Sequence, residues 1–336
     1  MNPLFGSGFV DEIRLKEECT ELLDTLQGVL TPQKLLQISQ EYGIDKATVL
    51  LYEWLVQYRH REFNRHLSNL PTSIDDAPSD SKILIVPGMF HKEYPEMGGD
   101  GCIIQSIVQR FGFDAEIVPT HSTGDLQTNA GILQAAIKRQ QGRPLWLISI
   151  SKGSADSGLC LNQLQTHDKK SLRGWISLCG IFKGSPMADI RLNNPVNRLI
   201  LKSYLKLKGA NANAIEEMRC SNPLWQRNLD DCAIDLIHVQ PIPIAAYVHA
   251  KLIKRYRQLS SLGPNDGTIL LSDLIYRRGD IYPLWGVDHF FRDRAVVPLI
   301  YKLCRLIKSR DKQRKNNDEH IENTRRSGTH VTAMSV

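Results

Sequence analysis

Residues 144–153, Pro-Leu-Trp-Leu-Ile-Ser-Ile-Ser-Lys-Gly, are an apolar run that breaks at a serine framed by small residues. Ser149-Ile150-Ser151-Lys152-Gly153 has the form small-x-Ser-x-small, the signature of a strand that turns abruptly into a helix about a strained central residue. Ser149 stands where Gly is commoner. Such a turn lifts the Ser151 hydroxyl above the sheet edge at a helix N-terminus, where backbone N–H groups can stabilise an oxyanion. A serine hydroxyl is a poor nucleophile at neutral pH. It needs a base within hydrogen-bond reach and a third group to orient that base.

The chain supplies both downstream, in Gly263-Pro264-Asn265-Asp266-Gly267-Thr268 and then Trp285-Gly286-Val287-Asp288-His289-Phe290-Phe291. His289 follows the last strand candidate, which distinguishes it from His238 and His249; most of the ten histidines are surface or packing residues. Asp266 lies in a turn sequence that turn chemistry alone would explain; its functional reading is to fix the imidazole tautomer. Asp280 and Asp288 are reserve candidates, because a helical stretch separates the strand end near His249 from Asp266. An oxyanion hole needs two backbone donors. Lys152 supplies the first, and Met89 in Val86-Pro87-Gly88-Met89-Phe90 the second, with Gly88 permitting close backbone approach.

These residues must be positioned by a sheet. Short apolar segments at Ile83–Val86, Glu116–Val118, Leu145–Ile150, Trp175–Leu178, Ile244–Val248 and Ile281–Leu284 are predicted strands. Predicted helices fall at 101–111, 126–140, 153–166, 251–259 and 291–308. This alternation predicts parallel βαβ units with helices on both faces and a site at the carboxyl ends of the strands. Residues 1–70 read as a helical N-terminal region, with Thr31-Pro32 opening one helix, Gly43 ending it and Asp45 capping a long segment to about Leu67. Residues 71–81 form a polar linker and 82–308 the α/β domain. An insertion over about 181–241, including amphipathic Pro195–Leu207 and the weaker Ala214–Met218, is expected to form a lid. The part from 309 to 336 is expected to be a disordered basic tail: Lys308–Val336 holds seven Lys/Arg against four Asp/Glu, a net +3, and few apolar residues.

The strand–turn–helix, the Asn-Asp-Gly and the Asp-His resemble the α/β-hydrolase superfamily, on its esterase/lipase side. Ser-Lys-Gly-Ser-Ala-Asp at 151–156, Ile176–Gly180 and Gly184–Asp189 further resemble a poorly characterised bacterial group within it. The resemblance covers roughly residues 82–308. It implies a serine hydrolase cleaving an acyl ester through an acyl-enzyme, with Ser151 as nucleophile, His289 as base and Asp266 as orienter, and no cofactor. A thioesterase or amidase, or a binding module on the same scaffold, are the alternatives. Serine at the turn disfavours the dehalogenase and epoxide hydrolase relatives, which place Asp there.

The chain has 336 residues, 42 % of them hydrophobic and 23 % charged, with a net charge of +6. Its seven scattered cysteines lack CxxC spacing, which points to reduced thiols rather than disulfides or a zinc site. No metal spacing, Walker A string or dinucleotide glycine pattern appears. No leader-like or membrane-spanning run is present, so a cytoplasmic location is the expectation, with a small-molecule or lipid acyl substrate. Leu35–Val49 loosely matches a helix-turn-helix, but a helical appendage or a contact between copies of the chain is the favoured reading, and no nucleic-acid partner is expected.

Overall fold

The computed structural model describes residues 12–140, 142–207, 209–230, 234–291 and 296–329, with side chains through residue 317. Four N-terminal helices come first: α1 (Glu12–Thr25), α2 (Pro32–Tyr42), α3 (Ile44–Trp54) and α4 (Arg61–Asn69), with a π-helical turn at Leu55–Arg59. Thr31 caps α2, its hydroxyl accepting from the Lys34 N–H, with Pro32 at the first helical position where no donor is needed. The segment expected as one helix from Asp45 is thus interrupted at Leu55–Arg59.

Next come β1 (Lys82–Val86), α5 (Cys102–Arg110), β2 (Asp114–Ile117), α6 (Leu126–Lys138), β3 (Leu145–Ile150), α7 (Lys152–Gln163), the short α8 (Thr166–Lys169) and β4 (Leu172–Leu178). An insertion carries α9 (Pro186–Asn193), α10 (Pro195–Leu207) and α11 (Asn213–Glu217). It is followed by β5 (Asp235–Ile242), α12 (Ala250–Leu259), β6 (Asp280–Trp285) and α13 (Val296–Thr329). The six strands are all parallel, in the order β2-β1-β3-β4-β5-β6.

Both sheet faces are covered, as the near-continuous apolar strands require. Leu84 and Val86 of β1 face the cluster that contains Leu126, Leu133 and Leu159 from α6 and α7. Ile83 and Ile85, one residue out of phase, pack with Ile104 and Val108 of α5 and Leu303 and Ile307 of α13. The chain runs from β1 outward to β2 and then back across to β3, so the strand order reverses between β1 and β3. A crevice at such a switch point, at the carboxyl ends of the strands, is where α/β sheets hold their sites.

Several expectations are corrected. The strand expected at Ile244–Val248 is instead Asp235–Ile242; His238, Gln240 and Pro241 hide an interior strand whose polar side chains are buried. The insertion therefore ends before residue 235. It packs on the body through Phe182, Met218, Trp225 and Leu229, which belong to the core that α6 and α7 share. The disorder expected from residue 309 is not found, since α13 continues to Thr329. Its polar residues dock on the amino ends of the strands: Arg310 on Asp280 (2.8 Å), Arg314 on Asp235 (3.0 Å), and Asp311 accepting from Trp146 Nε1 and Ser81 Oγ. Composition hid this, because here charge complementarity does what apolar burial does elsewhere. Residues 330–336 lie outside the described residues.

The N-terminal helices are not an appendage. Leu23, Leu35, Ile38, Leu50 and Leu51 share one core with Ile242 and Ile281 of the sheet and with Leu271, Leu274 and Ile275. Asp45 accepts from the Ala245 N–H, and Asn64 Nδ2 donates to the Ile281 carbonyl. The apolar faces that suggested a helix-turn-helix or a contact between copies are thus used inside the chain.

Candidate active site

Ser151 follows β3 directly and caps α7 at φ 50°, ψ −117°. A side chain at positive φ is costly, and it persists only where its surroundings over-determine it. Here the Ser151 N–H donates to the Leu178 carbonyl, and the Ser151 carbonyl accepts from Ser154 and Ile181. Among the described residues five non-glycines have positive φ, and four of them, Phe90, Ser151, Cys179 and Phe291, follow the carboxyl ends of β1, β3, β4 and β6. Backbone strain is concentrated at the mouth of the switch point.

The small residues around Ser151 have distinct reasons. A Cβ on Gly153 would lie 2.4 Å from the Pro87 carbonyl oxygen and 2.5 Å from that of Val86, so α7 can approach the β1 strand end only with glycine there. Ser149, where glycine was the commoner expectation, is fully buried and accepts a 2.7 Å hydrogen bond from Trp175 Nε1. Its hydroxyl continues to Ser154 Oγ (2.8 Å) and on to Ser177 Oγ (2.9 Å). The exchange of Gly for Ser thus satisfies an indole N–H that would otherwise be buried without a partner.

The three far-apart side chains meet. Ser151 Oγ lies 2.9 Å from His289 Nε2, and His289 Nδ1 lies 2.8 Å from Asp266 Oδ2. Because Nδ1 donates to a carboxylate, Nε2 is left to accept from the serine hydroxyl. The two loops are also joined through the backbone, His289 N–H donating to the Asp266 carbonyl at 3.0 Å. Asp266 is fully buried with both oxygens occupied. Oδ1 accepts from the N–H groups of Thr268 and Ile269 (both 2.9 Å), and Oδ2 also accepts from Gln240 Nε2 (3.0 Å).

The reserve carboxylates lie elsewhere. Asp280 opens β6 at the opposite end of the sheet and pairs with Arg310. Asp288 turns away from the imidazole, accepting from the His249 and Phe290 N–H groups at 2.8 and 3.1 Å. A competing nucleophile is absent at Cys179, whose thiol burial pushes far above its ordinary range.

Of the expected oxyanion donors, Lys152 is the first residue of α7, and Met89 follows Gly88, whose Cβ would sit 3.6 Å from Ser151 Cβ. The loop after β1 therefore backs directly onto the serine. The Lys152 side chain does not face a substrate: it is buried, with Nζ 2.7 Å from Asp156 Oδ1. Asn129 Nδ2 completes Asp156 at 3.0 Å, and burial pushes the Asp156 carboxyl up to about 6 despite the ammonium beside it. Gln240, Trp175 and this buried pair were missed as supports; the i, i+4 spacing of Lys152 and Asp156 was the legible signal for the last. Among the described residues no group of His, Cys, Asp and Glu could hold a metal ion. The six described cysteines are free, and Cys232 lies outside the described residues. No described helix is long and apolar enough to cross a membrane.

Sequence comparison finds no matching family model and no matching curated protein. Structural comparison finds a metagenomic carboxyl esterase at TM-score 0.55 and 16 % identity, covering 73 % of this chain and 80 % of that one. It also finds the mature form of a Bacillus licheniformis lipase at TM-score 0.53 and 19 % identity, covering 71 % and 96 %. With its parallel sheet, switch-point site and strained serine turn, this chain has the α/β-hydrolase fold.

Proposed function

We propose that the chain is a serine hydrolase that cleaves carboxylic esters. The observation that carries this reading is the continuous hydrogen-bonded line from Ser151 Oγ through His289 to the buried Asp266, starting at a serine held in strained backbone geometry. The two structural relatives, a carboxyl esterase and a lipase, support ester cleavage.

In this mechanism Ser151 Oγ attacks the ester carbonyl carbon while His289 Nε2 takes the hydroxyl proton. The tetrahedral oxyanion is held by the backbone N–H groups of Lys152 and Met89, the first reinforced by the N-terminal dipole of α7. Collapse breaks the bond to the leaving alkoxide, which takes the proton from His289 and departs as the alcohol. Water, deprotonated by His289, attacks the acyl-enzyme, and a second collapse returns the proton to Ser151 and releases the carboxylic acid. Asp266 keeps the imidazole in its productive tautomer and stabilises the imidazolium.

A fluorophosphonate probe tests this directly. Wild type is expected to be labelled at Ser151 and Ser151→Ala not at all; an unlabelled wild type, or equal labelling of both, refutes it. Turnover of p-nitrophenyl esters of increasing chain length then defines the acyl preference.

A further inference from the structure

Helix α10 carries two apolar faces. Leu205 is buried and Leu201 packs on the body's core. On the other side Val196, Leu199, Ile200, Tyr204 and Leu207 stand in solvent, Leu199 68 % and Leu207 86 % exposed. At about 100° per residue these five share one arc of about 140°. Scattered exposed leucines are ordinary, but five apolar residues on one helical arc, interrupted only by Ser203, are not. Arg198, Lys202 and Lys206 line one flank of the stripe, and the helix holds no acidic residue.

The helix is firmly placed. Asn194 Oδ1 accepts from the Val196 and Asn197 N–H groups, both at 3.0 Å. Glu216 of α11 holds Arg198 and Lys202 at 2.7 and 3.1 Å, leaving both ammonium and guanidinium partly open to solvent. The Tyr204 hydroxyl meets that of Tyr94, on the loop whose Gly88 backs onto Ser151.

We propose that this face docks on an anionic lipid bilayer, with α10 lying in the interface plane, its stripe among the acyl chains and its basic flank at the headgroups. A bilayer supplies apolar depth and negative charge together, which is the pairing the helix presents, and the whole chain is cationic at +6. The surface goes beyond the proposed ester chemistry and needs no turnover. It would hold the Ser151 mouth against a source of acyl chains.

Vesicle flotation tests it, using the full chain with Ser151→Ala so that lipid stays intact. The chain is expected to float with phosphatidylcholine–phosphatidylglycerol vesicles and far less with phosphatidylcholine alone, and to be released by salt. Lys202→Gln with Lys206→Gln lowers partition on the order of tenfold. Leu199→Asp with Ile200→Asp lowers it by about a hundredfold or more, with an unchanged melting temperature showing that the fold survives. No flotation of the folded chain, or flotation that survives the aspartates, overturns the proposal. So does a dimer in sedimentation velocity that the aspartates dissolve while no vesicle is bound, since a second copy of the chain would then be the occupant. Absent ester turnover in the wild type sinks the proposed chemistry alone, and absent flotation sinks this surface alone.

Discussion

Replacing Asp266 by Asn tests the orienting role at a single atom. Asp266 accepts four hydrogen bonds, two backbone N–H groups on Oδ1 and the His289 and Gln240 donors on Oδ2. An Asn side chain keeps its oxygen on the two amides and must present Nδ2 to His289. Two donors then face each other, so the imidazole moves its proton to Nε2 and can no longer accept from Ser151. The expected loss in kcat is about 10³–10⁴. Stability falls by only about 1–3 kcal/mol, because Gln240 can turn its amide over. Its Oε1 has no hydrogen-bond partner in the native arrangement and would accept from the new Nδ2. The assay is initial-rate hydrolysis of p-nitrophenyl butyrate with thermal melts alongside. In the proposed mechanism Asp266 acts only through His289, so adding Asp266→Asn to His289→Ala should cost nothing further in kcat. A kcat within tenfold of wild type, or multiplicative losses in the double variant, refutes the reasoning.

Alanine at two glycines should have opposite effects. Gly153→Ala drives a methyl into the Val86 and Pro87 carbonyls and is expected to cost about 2–3 kcal/mol and to slow turnover about a hundredfold by shifting the Met89 loop. Gly131→Ala, in the open on α6, should stabilise by about 0.5–1 kcal/mol; urea melts of both decide. Ser149→Gly strips the Trp175 indole of its acceptor and should cost about 1–3 kcal/mol, read from the same melts. Burial pushes Asp156 up to about 6, so as pH rises from about 4 the unfolded chain loses this proton before the native chain does. Wild-type stability relative to Asp156→Asn should fall across that window by on the order of 1–3 kcal/mol, and a difference that is flat with pH contradicts it.

Much of the site was legible because its signals are local. Small residues flanking Ser151 and an Asn-Asp-Gly turn are demands of backbone geometry, and backbone geometry leaves a mark on adjacent positions. What escaped were supports that act through space. Gln240 sits on a strand whose polar residues mask its periodicity, whereas Ile244–Val248 is more apolar and reads as the strand in its place. The run from Lys308 onward looked like a tail because it lacks apolar periodicity, yet Arg310 and Arg314 find Asp235 and Asp280, residues remote in sequence. The N-terminal helices showed their amphipathic faces plainly. Nothing local said that the surface they cover belongs to the sheet and to Leu271–Ile275.

That last arrangement has a consequence for how the molecule divides. The excursion that carries Asp266 is clamped a few residues later by Leu271, Leu274 and Ile275, whose neighbours are Leu35 and Ile38 of α2 and their partners on α3. Residues 12–70, though outside the region that resembles a hydrolase, thus form a wall against which the Asp266 loop is braced. A fragment begun at Lys82 would keep Ser151, His289 and Asp266 and lose the packing that braces the loop between the last two.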